Sequence, residues 1–267
     1  MDITNRPALD DADLTSLRQA KAMLEQPGFA IQIANMLGTP LAHVLDKRLP
    51  AKARSLVDKA TRKAIDAAFR VALATMKGEA QAHRPHNAMH KWAVAATGAA
   101  GGFFGLAGLP AELPVTTSIM LRSILDIARS EGESPNDPAT RIACLEVLAL
   151  GGSSSSDDAA DTGYFAVRAA LAQQVSAAIQ HLASKGFADR GAPVMLNLAS
   201  RIAAYFAIPV SEKAVAEALP AIGAITGSTL NLVFIHHFQK MALGHFVVRR
   251  LERHYGEEVV RAAYEAL

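Results

Sequence analysis

Leu56, Ala60, Ala64, Ala67, Val71 and Ala74 recur at three- and four-residue intervals, and no run of the chain alternates apolar with polar residues. Intervals of three and four put side chains on one face of a helix, whereas a half-buried strand needs a period of two. This contrast argues against β and α/β folds. Composition agrees: apolar residues make up 51% of the 267, much of it alanine, and aromatics only 6%. Alanine and leucine are strong helix formers. The reading is all-α, a single multi-helix domain over 1–267, long enough to bury a sizeable core.

Helix signals recur along the chain. Leu14 to Leu24 follows Asp10, Asp11 and Asp13, carboxylates that suit a helix N-terminus. Phe29 to Leu37 is a short apolar helix. Ala51 to Met76 carries Lys52, Arg54, Lys59, Arg62 and Lys63 on its outer side, a basic face that meets solvent or an anionic membrane surface. Val115 to Arg129 reads as a helix begun after Pro114. Asp137 is placed to cap a helix that Pro138 begins and Gly151-Gly152 ends. Tyr164 to Ala183 and Val194 to Phe206 follow, then a helix capped by Ser211 that reaches Pro220, then a long pattern from Ala221 to His254.

A formal net charge of +2 gives no basis for a nucleic-acid partner. The single cysteine, Cys144, allows no intrachain disulfide and sits among Ile142, Leu145, Val147 and Leu148 as a small buried hydrophobe. The polar start MDITNRPALDDADL has neither the basic nor the apolar region of a signal peptide, so a cytoplasmic location is expected.

The stretch GGFFGLAGLPAELP, Gly101 to Pro114, admits three readings. A phosphate loop fails because Gly108 is followed by Leu109-Pro110-Ala111 rather than by lysine and serine or threonine. Membrane insertion has support in two uncharged runs, Trp92 to Ala111 and Ala218 to Ile235, near the length that spans a bilayer; no other segment resembles a span. Close helix packing has support in Gly98 and Gly102, Gly101 and Gly105, and Gly223 and Gly227, each pair four apart on one helix face. The favoured expectation is two Gly-rich central helical segments packed together. Pro110 and Pro114 are expected to break the helix, with Glu112 in the break.

GAAGGFFGLAGLPAELPVTTSIMLRSILDIARSEGESPNDPATRIACLEVLALGG combines a Gly-rich segment, an acidic residue near prolines, R-x-x-x-D and G-x-x-P-x-D-P. These are Glu112, Arg122, Asp126, Gly132, Pro135, Asp137 and Pro138. Further on come P-x-x-x-K, L-P-x-x-G-A, an Asn-containing helix and H-F-x-x-R-R-L-E-x-x-Y-G. The chain resembles the EcsC family of bacterial proteins in these motifs, best over 92–256 and only loosely over 1–90. The resemblance implies a helical protein, cytoplasmic or peripheral at the inner face of the cell membrane. The family is named for a gene beside those of an ABC transporter. ABC transporter components therefore join an anionic membrane surface as expected partners. No catalytic residues come with the resemblance.

Arg122 and Asp126 are one helical turn apart and able to pair. If the two uncharged segments pack, Glu112, Asp126, Asn231 and one of His236 and His237 line a shared polar cavity that Lys213 closes. Glu112, Asp126 and His236 are then the catalytic candidates, and Arg122, Lys213 and Asn231 the binding ones. His86 and His90 are four apart, but HNAMH lacks the glutamate of a zinc helix and a third ligand, so neither metal nor cofactor is expected. The leading function is a non-catalytic, membrane-associated or lipid-interacting accessory factor. Its basis is the basic helix face together with Arg249-Arg250-x-x-Arg253. The alternative is a hydrolase or metal-dependent enzyme with a buried Glu/Asp/His pocket.

Overall fold

The computed structural model describes residues 9–37, 49–74, 106–152, 163–186, 191–217 and 227–267. Among them are nine helices and no strand. They are α1 (Asp11–Leu24), α2 (Phe29–Leu37), α3 (Ala51–Leu73), α4 (Leu109–Ser130), α5 (Pro138–Leu150), α6 (Tyr164–Lys185), α7 (Pro193–Glu217), α8 (Gly227–Tyr255) and α9 (Glu257–Ala266). Most of both Gly-rich segments, 92–105 and 218–226, lies outside the described residues, as do the Gly98–Gly102 face, His86 and His90. So does the expected packing of those two segments.

The helix at the centre is α5. Every residue from Thr140 to Leu150 is buried, so α5 has no solvent face. A helix buried on every side must be surrounded, and α3, α4, α6, α7 and α8 all pack on it. Asp137 caps it, accepting from the Ala139 amide at 3.0 Å. Cys144 is buried here, its thiol pushed up by burial, as an unreactive packing residue. Arg141, only 1% exposed, reaches out of α5 to the end of α3. It donates to the Ala72 and Ala74 carbonyls at 3.1 and 3.0 Å, and to the Pro135 carbonyl at 2.6 Å. A cation there satisfies carbonyls that a helix end leaves open.

Two helices run through prolines: α4 through the pair expected to break it, and α7 through Pro209, which lies between two helices expected to be separate. In the structure α4 begins at Leu109, with Pro110 in its first turn and Pro114 inside it. The first four amides of a helix have no intrahelical acceptor, so Pro110 loses nothing. Pro114 forfeits one bond near a free end. Likewise α7 is one helix through Pro209, not two. Ser211 is no cap: its hydroxyl donates back to the Ala207 carbonyl at 2.7 Å. Burial explains the continuity. Met195, Leu198, Ile202, Phe206, Val210 and Ala214 form one fully buried stripe. Six such side chains outweigh the ~3 kcal/mol that an internal proline costs.

Pro209 also shapes what packs on α7. Lacking an N–H, it leaves the Tyr205 carbonyl without its helical donor. Gly152 lies against that carbonyl: a Cβ there would stand 2.1 Å from the Tyr205 oxygen. At Gly151 a Cβ would stand 2.2 Å from the Phe238 ring. The double glycine after α5 therefore ends the helix and also admits α7 and α8 at close range. The close contact of α1 with α8 uses Gly244, where a Cβ would meet Leu24 at 2.7 Å and the Ala20 carbonyl at 3.0 Å.

The loop from α4 to α5 is clamped to α8. Gly132, with φ +80°, takes the left-handed turn after α4. Glu133 accepts from Thr140 at 2.7 Å, from Arg249 at 2.9 Å and from Arg253. Burial pushes its carboxyl up, but the Arg249 charge and bond prevail and hold it lower than usual. Arg250 pairs with Glu131 at 3.2 Å. Each arginine of the Arg249-Arg250-x-x-Arg253 cluster is thus paired with a carboxylate of this loop, although Arg250 and Arg253 stay partly open to solvent.

Candidate functional site: a buried ion cluster and an apolar groove

Glu112 sits in the first turn of α4, where the helix dipole favours a carboxylate. Lys213 reaches it from α7, Nζ to Oε1 at 3.1 Å, and also meets Glu217 Oε1 at 2.6 Å. The side chains of Lys213, Glu112 and Glu217 are 0%, 3% and 5% exposed. Thr116 adds a long 3.5 Å bond to Glu112, and among the described residues Glu217 Oε2 is buried without a partner. Three ions so placed are held by geometry, because removing one leaves a buried charge unpaired. The sequence reading named Glu112 and Lys213 but not Glu217. The signal for it was present: Lys213 and Glu217 are four apart on one helix.

The other named residues lie elsewhere. Asp126 is fourteen residues along α4 from Glu112, about 21 Å at 1.5 Å per residue. It pairs with Arg129 at 3.6 Å, and Arg122 is exposed. His236 is exposed, and the inward-facing neighbour is His237, 1% exposed. Its Nε2 meets the Gly151 carbonyl at 2.8 Å, and Gln32 Nε2 meets its Nδ1 at 3.1 Å. Burial lowers its pKa to about 4. Asn231 is fully buried, and among the described residues both polar atoms of its amide lack a partner. Glu112 and Asp126 therefore do not share a pocket, and His236 does not face inward. Among the described residues no cluster of three His, Cys, Asp or Glu side chains has a metal-binding arrangement.

A second buried polar group went unread in the sequence. Tyr164 meets His245 Nδ1 at 2.9 Å, and Arg168 donates to the Tyr164 hydroxyl at 3.3 Å. Arg168 also grips Glu252 with two bonds, 2.5 and 3.1 Å. Burial pushes the Tyr164 hydroxyl up and His245 well down, so both are neutral. These residues are scattered over α6 and α8, and only tertiary packing joins them.

The surface feature with most functional content is a groove of about 600 Å³ between α3 and α7. Ile65 and Phe69 from α3 and Met195, Ala199 and Ala203 from α7 make it apolar. Leu196 lines it and is 57% exposed; Arg62 stands at its rim with Asp58 and Asp66. Lys52, Arg54, Lys59 and Lys63 are exposed on the same helix as Arg62. Ile208, three turns on from Leu196, is 41% exposed. Among the described residues, α7 is the one helix long and apolar enough to cross a membrane, yet only 33% of its apolar stretch is buried. This corrects the reading that no segment beyond the two Gly-rich runs resembles a span.

A model of the EcsC protein family matches residues 11–251. No curated protein and no solved structure matches the chain. The match spans most of the chain, so the protein belongs to the EcsC family, and α1 to α3 are within it as well as the motif-bearing part.

Proposed function

We propose that this EcsC protein is a non-catalytic accessory factor that docks peripherally on anionic membranes through α3 and α7. The observation that carries the reading is the α3–α7 groove. It joins an exposed leucine to an apolar floor and is walled on one side by a helix whose exposed residues include Lys52, Arg54, Lys59, Arg62 and Lys63. Arg62 at the groove stands between Asp58 and Asp66, so the cations that matter are those on the rest of α3; apolar surface beside such a helix suits the boundary between headgroups and acyl chains. Each Lys or Arg near an anionic surface adds attraction that salt screens. The enzyme reading draws less support, since Glu112 and Asp126 stand about 21 Å apart on one helix and His236 faces solvent.

Vesicle flotation tests this directly. The chain should float with phosphatidylglycerol-containing vesicles at low salt, bind neutral phosphatidylcholine poorly, and be released as salt rises. Replacing Lys59, Arg62 and Lys63 with glutamate should abolish flotation, and Leu196→Asn should weaken it. Binding indifferent to lipid charge and to these changes would remove the reading. The transporter link rests on the family's namesake gene and is tested by reconstituting purified ABC transporter components with the chain in vesicles.

A further inference from the structure

A second groove, about 630 Å³, lies among α5, α6, α8 and α9, away from α3 and α7. Glu146, from the central helix, forms part of its wall and is 6% exposed. The described residues give its carboxyl no hydrogen bond; what acts on it is burial and the charges of Arg168, Arg249 and Glu252. Those arginines are committed elsewhere. Arg168 is held by both oxygens of Glu252, and Arg249 by Glu133. Arg261 pairs with Glu265. With these pairs closed, the charge left over at the groove is acidic, and its innermost member is Glu146.

Along α6 the groove wall is largely hydrocarbon, while Ser176, Gln180, Glu257 and Glu258 make other parts of it polar. Ala169, Ala172, Val175 and Ile179 follow one another at three- and four-residue intervals along one face of α6. From Arg168 to Ile179 that face runs about 16 Å. Phe165 is taken up on its faces by Arg168 and Arg261, at 5.6 and 5.5 Å, so the aromatic ring already has its cations. A guest must therefore offer hydrogen-bond donors and positive charge to a nearly buried carboxyl, and an unbranched apolar body to the helix.

We propose that this groove binds an alkylammonium compound, with its ammonium group on the Glu146 carboxylate and its hydrocarbon chain along α6. Anionic amphiphiles of the same length are excluded by Glu146, and neutral ones leave its carboxyl without a donor. The site does not depend on the membrane-docking reading, because it uses other helices.

Titration calorimetry of the full chain with octylamine, octanol and octanoate tests it. Wild type should bind octylamine saturably, octanol at least tenfold more weakly, and octanoate not at all. Glu146→Gln should lose at least tenfold for octylamine while keeping the helical circular dichroism of the wild type. Ala172→Trp, at an exposed position, should block the trough with the same loss and serves if Glu146→Gln fails to fold. Absence of saturable octylamine binding to wild type overturns the proposal. Octanoate binding as well as octylamine, or a folded Glu146→Gln or Ala172→Trp chain binding octylamine like wild type, overturns it too.

Discussion

Both ring nitrogens of His237 are occupied in the neutral state, one by the Gly151 carbonyl and the other by the Gln32 amide. Burial opposes a charged ring and outweighs the Gly151 carbonyl, so the pKa falls to about 4; a second ring proton would also meet the Gln32 N–H. The unfolded chain protonates near 6.5. Stability from this residue is therefore whole above pH 6.5 and drains as pH falls toward 4, by about 3 kcal/mol. Glu146 and Glu212 act oppositely. Burial raises both to about 7, against Arg168 and Arg249 for Glu146 and the Ala30 amide for Glu212, so their contribution is present below 4.5 and fades as pH rises through 7. The wild-type profile mixes these slopes, so the clean observable is a difference. Denaturation of wild type and His237→Gln should show a constant stability gap above pH 6.5 that shrinks by about 3 kcal/mol toward pH 4; a gap constant over that range would refute the neutral assignment. The Glu112–Lys213–Glu217 cluster makes a second prediction. Lys213→Met leaves two buried carboxylates facing each other and should cost about 3–5 kcal/mol. Adding Glu112→Gln and Glu217→Gln should recover much of that in urea melts. No recovery would mean that the charges are not what the lysine serves.

The glycines and prolines act at the scale of the element, and they divide what the sequence made legible from what it did not. The caps at Asp10 and Asp137 were readable because a cap is a local hydrogen bond, to the Asp13 and Ala139 amides. The limits of α2 and α5 were readable for the same reason, from local apolar spacing and the residues beside it. The break expected at Pro114 and the two separate helices expected over α7 rest on local rules for ending a helix, while the buried stripe that carries α7 through Pro209 is tertiary. At the candidate site, Glu112 and Lys213 could be named as residue types, but their pairing could not. It depends on α4 and α7 crossing 101 residues apart in sequence. His237 rather than His236 faces inward, a choice that adjacent histidines on one helix leave to packing. The double glycine offers the sharpest check at this scale. Gly152→Ala would drive a methyl group into the Tyr205 backbone, which cannot rotate away, and should cost about 2–3 kcal/mol or more. Gly163→Ala, with no described residue within 4 Å of the added methyl, should change stability by less than ~0.5 kcal/mol. Equal melting temperatures for the two variants would show that the Gly152 contact relaxes freely.

At the scale of the whole molecule the question is how, on the proposed reading, a chain with one membrane-length helix among its described residues would meet a bilayer. To cross it, α7 would have to leave the core. Met195, Leu198, Ile202 and Phe206 would lose their packing, and Lys213 would leave Glu112. Burying those side chains is worth about 1.5–3 kcal/mol each, and the broken ion cluster adds several more. Lying along the surface requires none of this, since Leu196 and Ile208 are already exposed. The protein's single cysteine makes the two modes separable. Cys144 is fully buried, with its thiol held protonated by burial, so the native chain should resist maleimide labelling. A cysteine introduced at Leu196 and carrying an environment-sensitive fluorophore should then report that position alone. On phosphatidylglycerol vesicles its emission should shift to the blue, and high salt should reverse the shift as the chain comes off. The same label at Gln173, exposed on α6, should not respond. Cys144 should stay unlabelled throughout, because peripheral docking leaves α5 enclosed. A shift that survives high salt, together with labelling of Cys144 on the membrane, would mean that α7 has left the core and that the chain inserts rather than docks.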